Sequence, residues 1–186
     1  MADSDIKPAV DPRAWAGGYG PQAIHLVRTA QQINVQMSQM ADQKASMLMA
    51  ATFLCFTITI GQVKAGRMEL PIILLAASAL ASAVFAILAV LPKVVHRKGP
   101  LQEQDNILFF GNFTSVGEEE WIEMVVARLA TDETVFRTML RDIHQNGMVL
   151  QYKKYRFLGL AYRIFLFGLG LTFVAFLVEM AMPHLG

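Results

Sequence analysis

Leu70 to Leu91 reads LPIILLAASALASAVFAILAVL, an uncharged apolar run that stops at Pro92-Lys93. The hydrocarbon core of a bilayer takes about 20 consecutive, mostly apolar residues, with about 17–25 tolerated. This stretch fits that length and ends on a charge anchor, so it reads as a membrane-spanning helix. Two further runs flank it. Ala45 to Gln62 (ASMLMAATFLCFTITIGQ) carries no charge, and its hydroxyls at Ser46, Thr52, Thr57 and Thr59 can bond back to the preceding helical turn at little cost. Phe157 to Val178 is aromatic and contains glycines, with Arg163 near its start and Glu179 just beyond it. Three spans therefore set the architecture: an all-α membrane protein with three transmembrane helices and a small, mostly helical cytoplasmic module.

Composition agrees. Of the 186 residues, 54% are hydrophobic and 17% charged, against roughly 45–50% and 25% in an ordinary soluble domain. Lys+Arg 16 against Asp+Glu 15 leaves a net charge of +1, which disfavours a nucleic-acid-binding surface. The single cysteine, Cys55, rules out an intramolecular disulfide framework. The first apolar run begins at Ala45, too late for a secretory leader. Residues 1–20, with Asp3, Asp5, Asp11, Pro8, Pro12, Pro21 close behind and a Gly17-Gly18 pair, read as a flexible polar tail.

The chain then divides into a cytoplasmic amphipathic helix (21–44), spans at 45–62, 70–91 and 157–178, a cytoplasmic module at 92–156 and an outer stub at 179–186. Lys and Arg set the orientation. Lys93, Arg97, Lys98, Lys153, Lys154 and Arg156 crowd the ends of the 92–156 segment, whereas the turn at 63–69 holds only Lys64 and Arg67. The positive-inside rule puts the N-terminus and the 92–156 module on the cytoplasmic side, with the turn and the C-terminus outside. Asp42 and Arg163 both sit at the inner interface, where an ionised group is easier to retain as a pair, so Asp42 is expected to contact Arg163 or Arg156.

Leu26, Ala30, Ile33, Met37 and Met40 form a seam at coiled-coil spacing. It is expected to pack on neighbouring helices of the same chain rather than on a second subunit. Asn106 to Phe113 (NILFFGNF) reads as a buried strand or extended loop. Ser115 and Glu118 read as the N-cap and N3 of a capping box, and Thr131-Asp132-Glu133 as a second helix start. Asn146-Gly147 can kink that helix, whose pattern runs on through Tyr152. Ser78, Ser82 and Ala86 recur every four residues on the second span, a small-residue face that lets helix backbones approach closely within the chain or between subunits.

No catalytic constellation stands out. His25, His96, His144 and His184 are scattered, without the spacing of a helical metal site or a bis-His haem, and no Gly-rich phosphate loop occurs. Glu118-Glu119-Glu120 is explained by a solvated helix start. The chain therefore reads as neither an enzyme nor a metal protein. The stretch QYKKYRFLGLAYR, residues 151–163, sets cations beside tyrosines: interfacial anchors on one reading, an anion and aromatic-ring site on the other.

Ala41-Asp42-Gln43-Lys44-Ala45, Asn106-Ile-Leu-Phe-Phe-Gly111 and Lys154-Tyr155-Arg156-Phe-Leu158 followed by Ala161-Tyr162 resemble the Pycsar effector membrane domain, over about residues 21–180. The resemblance implies an antiphage effector genetically paired with a pyrimidine cyclase. It would respond to cyclic UMP or cyclic CMP and impair the inner membrane, so that the infected cell dies. For such a ligand the side chains offer a candidate set, Lys153, Lys154 and Arg156 for the phosphate, Tyr155 for stacking and Asn106 for a pyrimidine edge, in a chain expected to form a homo-oligomer. A scaffold that recruits a soluble partner, or a holin-like pore former without a nucleotide, remains open as an alternative.

Overall fold

A computed structural model describes residues 18–91, 101–102 and 105–181. The helices are α1 (Ala23–Lys64), α2 (Leu70–Val90), α3 (Phe110–Phe113), α4 (Glu118–Arg128), α5 (Asp132–Val149) and α6 (Arg156–Ala181), with a π-helical turn, Leu150–Tyr155, joining α5 to α6. Three helices are long and apolar enough to cross a membrane: α1, α2 and the continuous Asp132–Ala181.

The hairpin between α1 and α2 follows from local chemistry. Gly66 takes φ +81°, a conformation that side-chain-bearing residues avoid. Behind it Arg67 N bonds to Gln62 O at 3.1 Å, closing a Schellman-type end to α1. Pro71 then sits in the first turn of α2, where its missing N–H is of no consequence.

In the membrane layer α2 lies between α1 and α6 and contacts both extensively. The contact surfaces are small. Ala45, Ala89 and Leu158 cluster with Ala41 and Leu150 in one group, and Leu48, Ala86 and Ala161 in the next. Ser82 is fully buried and donates to Ala161 O at 2.9 Å, a direct bond from α2 to the α6 backbone. A Cβ built on Gly168 would overlap the Ser78 side chain, so the helices meet there only because residue 168 is glycine. The Ser78/Ser82/Ala86 face thus packs within the chain. The hydroxyls of the first span bond back along their own helix: Thr52 to Met49 O at 2.9 Å, Thr57 to Phe53 O at 2.9 Å and Thr59 to Phe56 O at 2.8 Å.

Several local expectations are corrected. Asn106–Phe113 is not extended. Asn106 Oδ1 accepts from Leu108 N at 2.9 Å and Asn106 O accepts from Asn112 Nδ2 at 2.9 Å, so side-chain amides fold the segment into a turn ahead of one helical turn. Helix α4 begins two positions later than the Ser115 box requires. Gly117 is its N-cap, without a side-chain cap, and Ser115 Oγ instead donates to Asn112 O at 2.6 Å. The capping box stands at α5, where Thr131 Oγ1 accepts from Thr134 N and Thr134 Oγ1 accepts from Thr131 N, both at 3.2 Å. The irregularity in the long C-terminal helix falls at 150–155 rather than at Asn146-Gly147.

The seam on α1 is also corrected. The face of α1 turned toward the rest of the chain carries Val27, Ala41, Ala45 and Leu48. Leu26, Ile33, Met37 and Met40 remain exposed, from 40% at Met37 to 72% at Leu26. Among the described residues, no other helix covers them.

Candidate functional site

Where α1 approaches its apolar run, α5 and the π turn pack alongside it. A groove with a cavity of about 280 Å³ lies between them, lined by Gln31, Asn34, Ser38, Asp142, Asn146 and Lys154 among others. One wall is set by α1, which places Gln31, Asn34, Ser38 and Asp42 on neighbouring turns; the other by α5, which places Asp142 and Asn146 four residues apart on one face.

At one end sits a buried carboxylate. Asp142 is 6% exposed. Its Oδ2 accepts from Gln31 Nε2 at 2.9 Å, and its Oδ1 accepts from both Asn106 Nδ2 and Asn146 Nδ2 at 2.8 Å. Such hydrogen bonds make burial of a polar group tolerable. They also tie three segments together: α1, the loop before α3, and α5. Asn34 Nδ2 adds a bond to Ile143 O at 3.1 Å. Trp121 Nε1 donates to Ile107 O at 2.9 Å, and its ring lies 5.3 Å from that of Phe113, which seats α4 on the same loop.

At the other end is Lys154. Its Nζ donates to Asp42 Oδ1 and Oδ2, both at 2.7 Å, and to Ser38 Oγ at 2.8 Å. An ammonium has three protons, and three acceptors surround this one. The Asp42 side chain is half exposed, that of Lys154 mostly covered. On either side of this pair along α1, Tyr155 OH donates to Met37 O at 3.4 Å and Tyr162 OH to Lys44 O at 3.2 Å, so two tyrosines clip the C-terminal helix to the α1 backbone.

The expected site residues therefore separate. Lys154 lines the groove, and Asn106 reaches its wall through Asp142. Tyr155 lies beside it, with its hydroxyl on Met37 O. Lys153 turns the other way and donates to Leu91 O at 2.7 Å, at the C-terminal end of α2 where a cation is favoured. Arg156 is exposed and off the groove. The Asp42–Arg163 pairing is corrected: Lys154 holds both oxygens of Asp42, and Arg163 is exposed. Nine residues at about 100° each put positions 154 and 163 on opposite helix faces, so only one of them can face α1. The groove residues missed in the sequence are Gln31, Asn34, Ser38, Asp142 and Asn146. The signal was a row of small polar residues on α1 running beside the apolar seam. Among the described residues, no group of His, Cys, Asp and Glu is arranged to hold a metal ion.

These features define a small three-span membrane protein with a small groove of mixed polar and apolar lining where its helices leave the apolar layer. The chain belongs to the Pycsar effector family: the Pycsar effector protein domain matches residues 25–180, nearly the whole described chain. No curated protein sequence and no solved structure matches it significantly.

Proposed function

We propose that this protein is an antiphage membrane effector that binds a cyclic pyrimidine mononucleotide, cyclic UMP or cyclic CMP, made by a partner cyclase, and that the bound form impairs the inner membrane and aborts infection. Family membership supports the class of activity. The observation that carries the ligand reading is the groove. At about 280 Å³ it falls just under the usual range of ligand pockets, about 300–1,000 Å³, so its occupant is a small molecule, of which a mononucleotide is one. Its walls offer amides able to donate and accept along a pyrimidine edge, and one cation for a singly charged phosphodiester.

In this reading Lys154 is the phosphate contact. The Asp142–Asn106 network holds the base end of the groove in shape, and Tyr155 borders the site. Lys153 and Arg156 contribute charge at the cytoplasmic membrane surface. The phosphate exchanges with Asp42 on Lys154. Because Lys154 stands in the π turn ahead of α6, that exchange alters what fastens the membrane helix to α1. In this reading the N-terminus and the groove lie in the cytoplasm, which the Lys/Arg asymmetry supports.

Calorimetric titration of the full chain in detergent with cyclic UMP and cyclic CMP tests the reading. Saturable binding of one of them, weakened by Lys154→Gln, is expected. Absence of binding to both would leave a scaffold or a nucleotide-independent pore former as the function.

A further inference from the structure

The apolar seam of α1 does not stop at Met40. Continued at the same alternation of three and four residues, it runs Leu26, Ala30, Ile33, Met37, Met40, Lys44, Met47, Ala51, Leu54, Ile58. Lys44 is the only polar residue in the series. All the large apolar members, in the water layer and in the apolar layer alike, are exposed, and the packed face of the helix lies to one side of them. Exposed apolar groups from Met47 onward are expected of a helix in lipid. Those at Leu26, Ile33, Met37 and Met40 are not, because they precede the apolar run and face water.

We infer that this seam is the contact between two copies of the chain, paired as a parallel, two-stranded coiled coil that begins outside the bilayer and continues into it. Three observations select a second copy over another partner. First, a period of 3.5 residues fits a partner helix of the same period. Copies inserted with one topology in one membrane are necessarily parallel and level with each other, so each seam residue meets its own counterpart. Second, the flanking residues Thr29, Gln36 and Gln43 are exposed and uncharged, so identical helices meet there without like-charge repulsion. Third, the area suffices. A seam from 26 to 58 is about 48 Å long and a helix face about 10 Å wide, giving about 500 Å² per copy and roughly 1,000 Å² across the pair, the lower bound for a specific interface.

Energetics divides along the chain. Outside the bilayer Leu26, Ile33, Met37 and Met40 associate by the hydrophobic effect. Two heptads are marginal alone in water, but anchoring both chains in one membrane raises their effective concentration. Within lipid that driving force is absent, and Ala51 instead lets the backbones approach. Lys44, a single cation at one core position just before the apolar run, selects register at some cost in stability. Its stem lies along the seam while its ammonium reaches the headgroups.

Single cysteines in a Cys55→Ser background of the full chain test the seam in native membrane vesicles, without any nucleotide, so the outcome is independent of the ligand reading. Oxidation is expected to give disulfide dimers at Ile33→Cys, Met37→Cys, Met40→Cys and Leu54→Cys, several-fold more than at the off-seam positions Gln32→Cys and Val35→Cys. Stepwise photobleaching of labelled chains at low density in vesicles should count two copies, falling to one for Ile33→Glu combined with Met37→Glu, substitutions at exposed sites that leave the packed face of α1 untouched. A single copy in the wild type, three or more copies, equal cross-linking at all positions, or a count unchanged by the double variant overturns the inference.

Discussion

Asp42→Asn separates a ligand-exchange role for Lys154 from a purely structural one. In the structure the Lys154 ammonium is saturated by Asp42 and Ser38. If a nucleotide phosphate takes Lys154, Asp42 is a built-in competitor, and weakening it tightens binding. The Asp42 side chain is 46% exposed, so the pair is screened by solvent and is worth about 0.2–1 kcal/mol. Releasing Lys154 from it then lowers Kd about 1.5- to 5-fold. Lys154→Gln acts oppositely. It removes a charge-assisted bond to phosphate, about 1.5–3 kcal/mol, and raises Kd about 10- to 150-fold. Calorimetry on the full chain, with helicity and melting recorded for each variant, reads both. Opposite signs support the exchange. If Asp42→Asn weakens binding as much as Lys154→Gln does, the pair merely positions the helices, and the phosphate contact lies elsewhere.

Three further outcomes follow from the packing. Gly168→Ala should destabilise the α2–α6 contact by about 1–3 kcal/mol, read as lower melting in detergent, and Ser78→Gly should restore most of the loss because it removes the overlapping side chain. Asp142→Leu leaves the amides of Gln31, Asn106 and Asn146 without their acceptor and should cost about 1–3 kcal/mol, with faster hydrogen exchange in the loop before α3 and in α5 as the readout. With Cys55→Ser, cysteines at Gly66 and Glu119 should label from opposite faces of the inner membrane; labelling from one face would contradict the topology.

The spans were legible because a bilayer imposes a length and an apolar composition that few other structures share. Leu70 to Val90 needs no neighbour to be read as helix. The stretch at Asn106–Phe113 was misread because its fold is decided by asparagine side chains bonding to nearby backbone and to Asp142, 36 positions away. Periodicity carries no trace of such bonds. Asp42 meets Lys154 rather than Arg156 or Arg163, and which cation reaches it is a question of helix phase. The π turn at 150–155 sits between the two elements and is invisible to a fixed angle per residue. The groove itself escaped notice because amides and a serine at helical spacing look like an ordinary solvated face until a second helix is laid across them.

The central claim is that a cyclic pyrimidine nucleotide turns this chain into an agent of membrane failure. The direct measurement is ion or dye flux from vesicles reconstituted with the purified full chain, before and after cyclic UMP or cyclic CMP is added, with cyclic AMP and cyclic GMP as controls. Flux that rises on addition of a pyrimidine nucleotide, stays at the empty-vesicle level with the purine nucleotides, and is lost in Lys154→Gln is the predicted result. Leakage that is already maximal without nucleotide, or a membrane that stays sealed with both pyrimidine nucleotides bound, would contradict it.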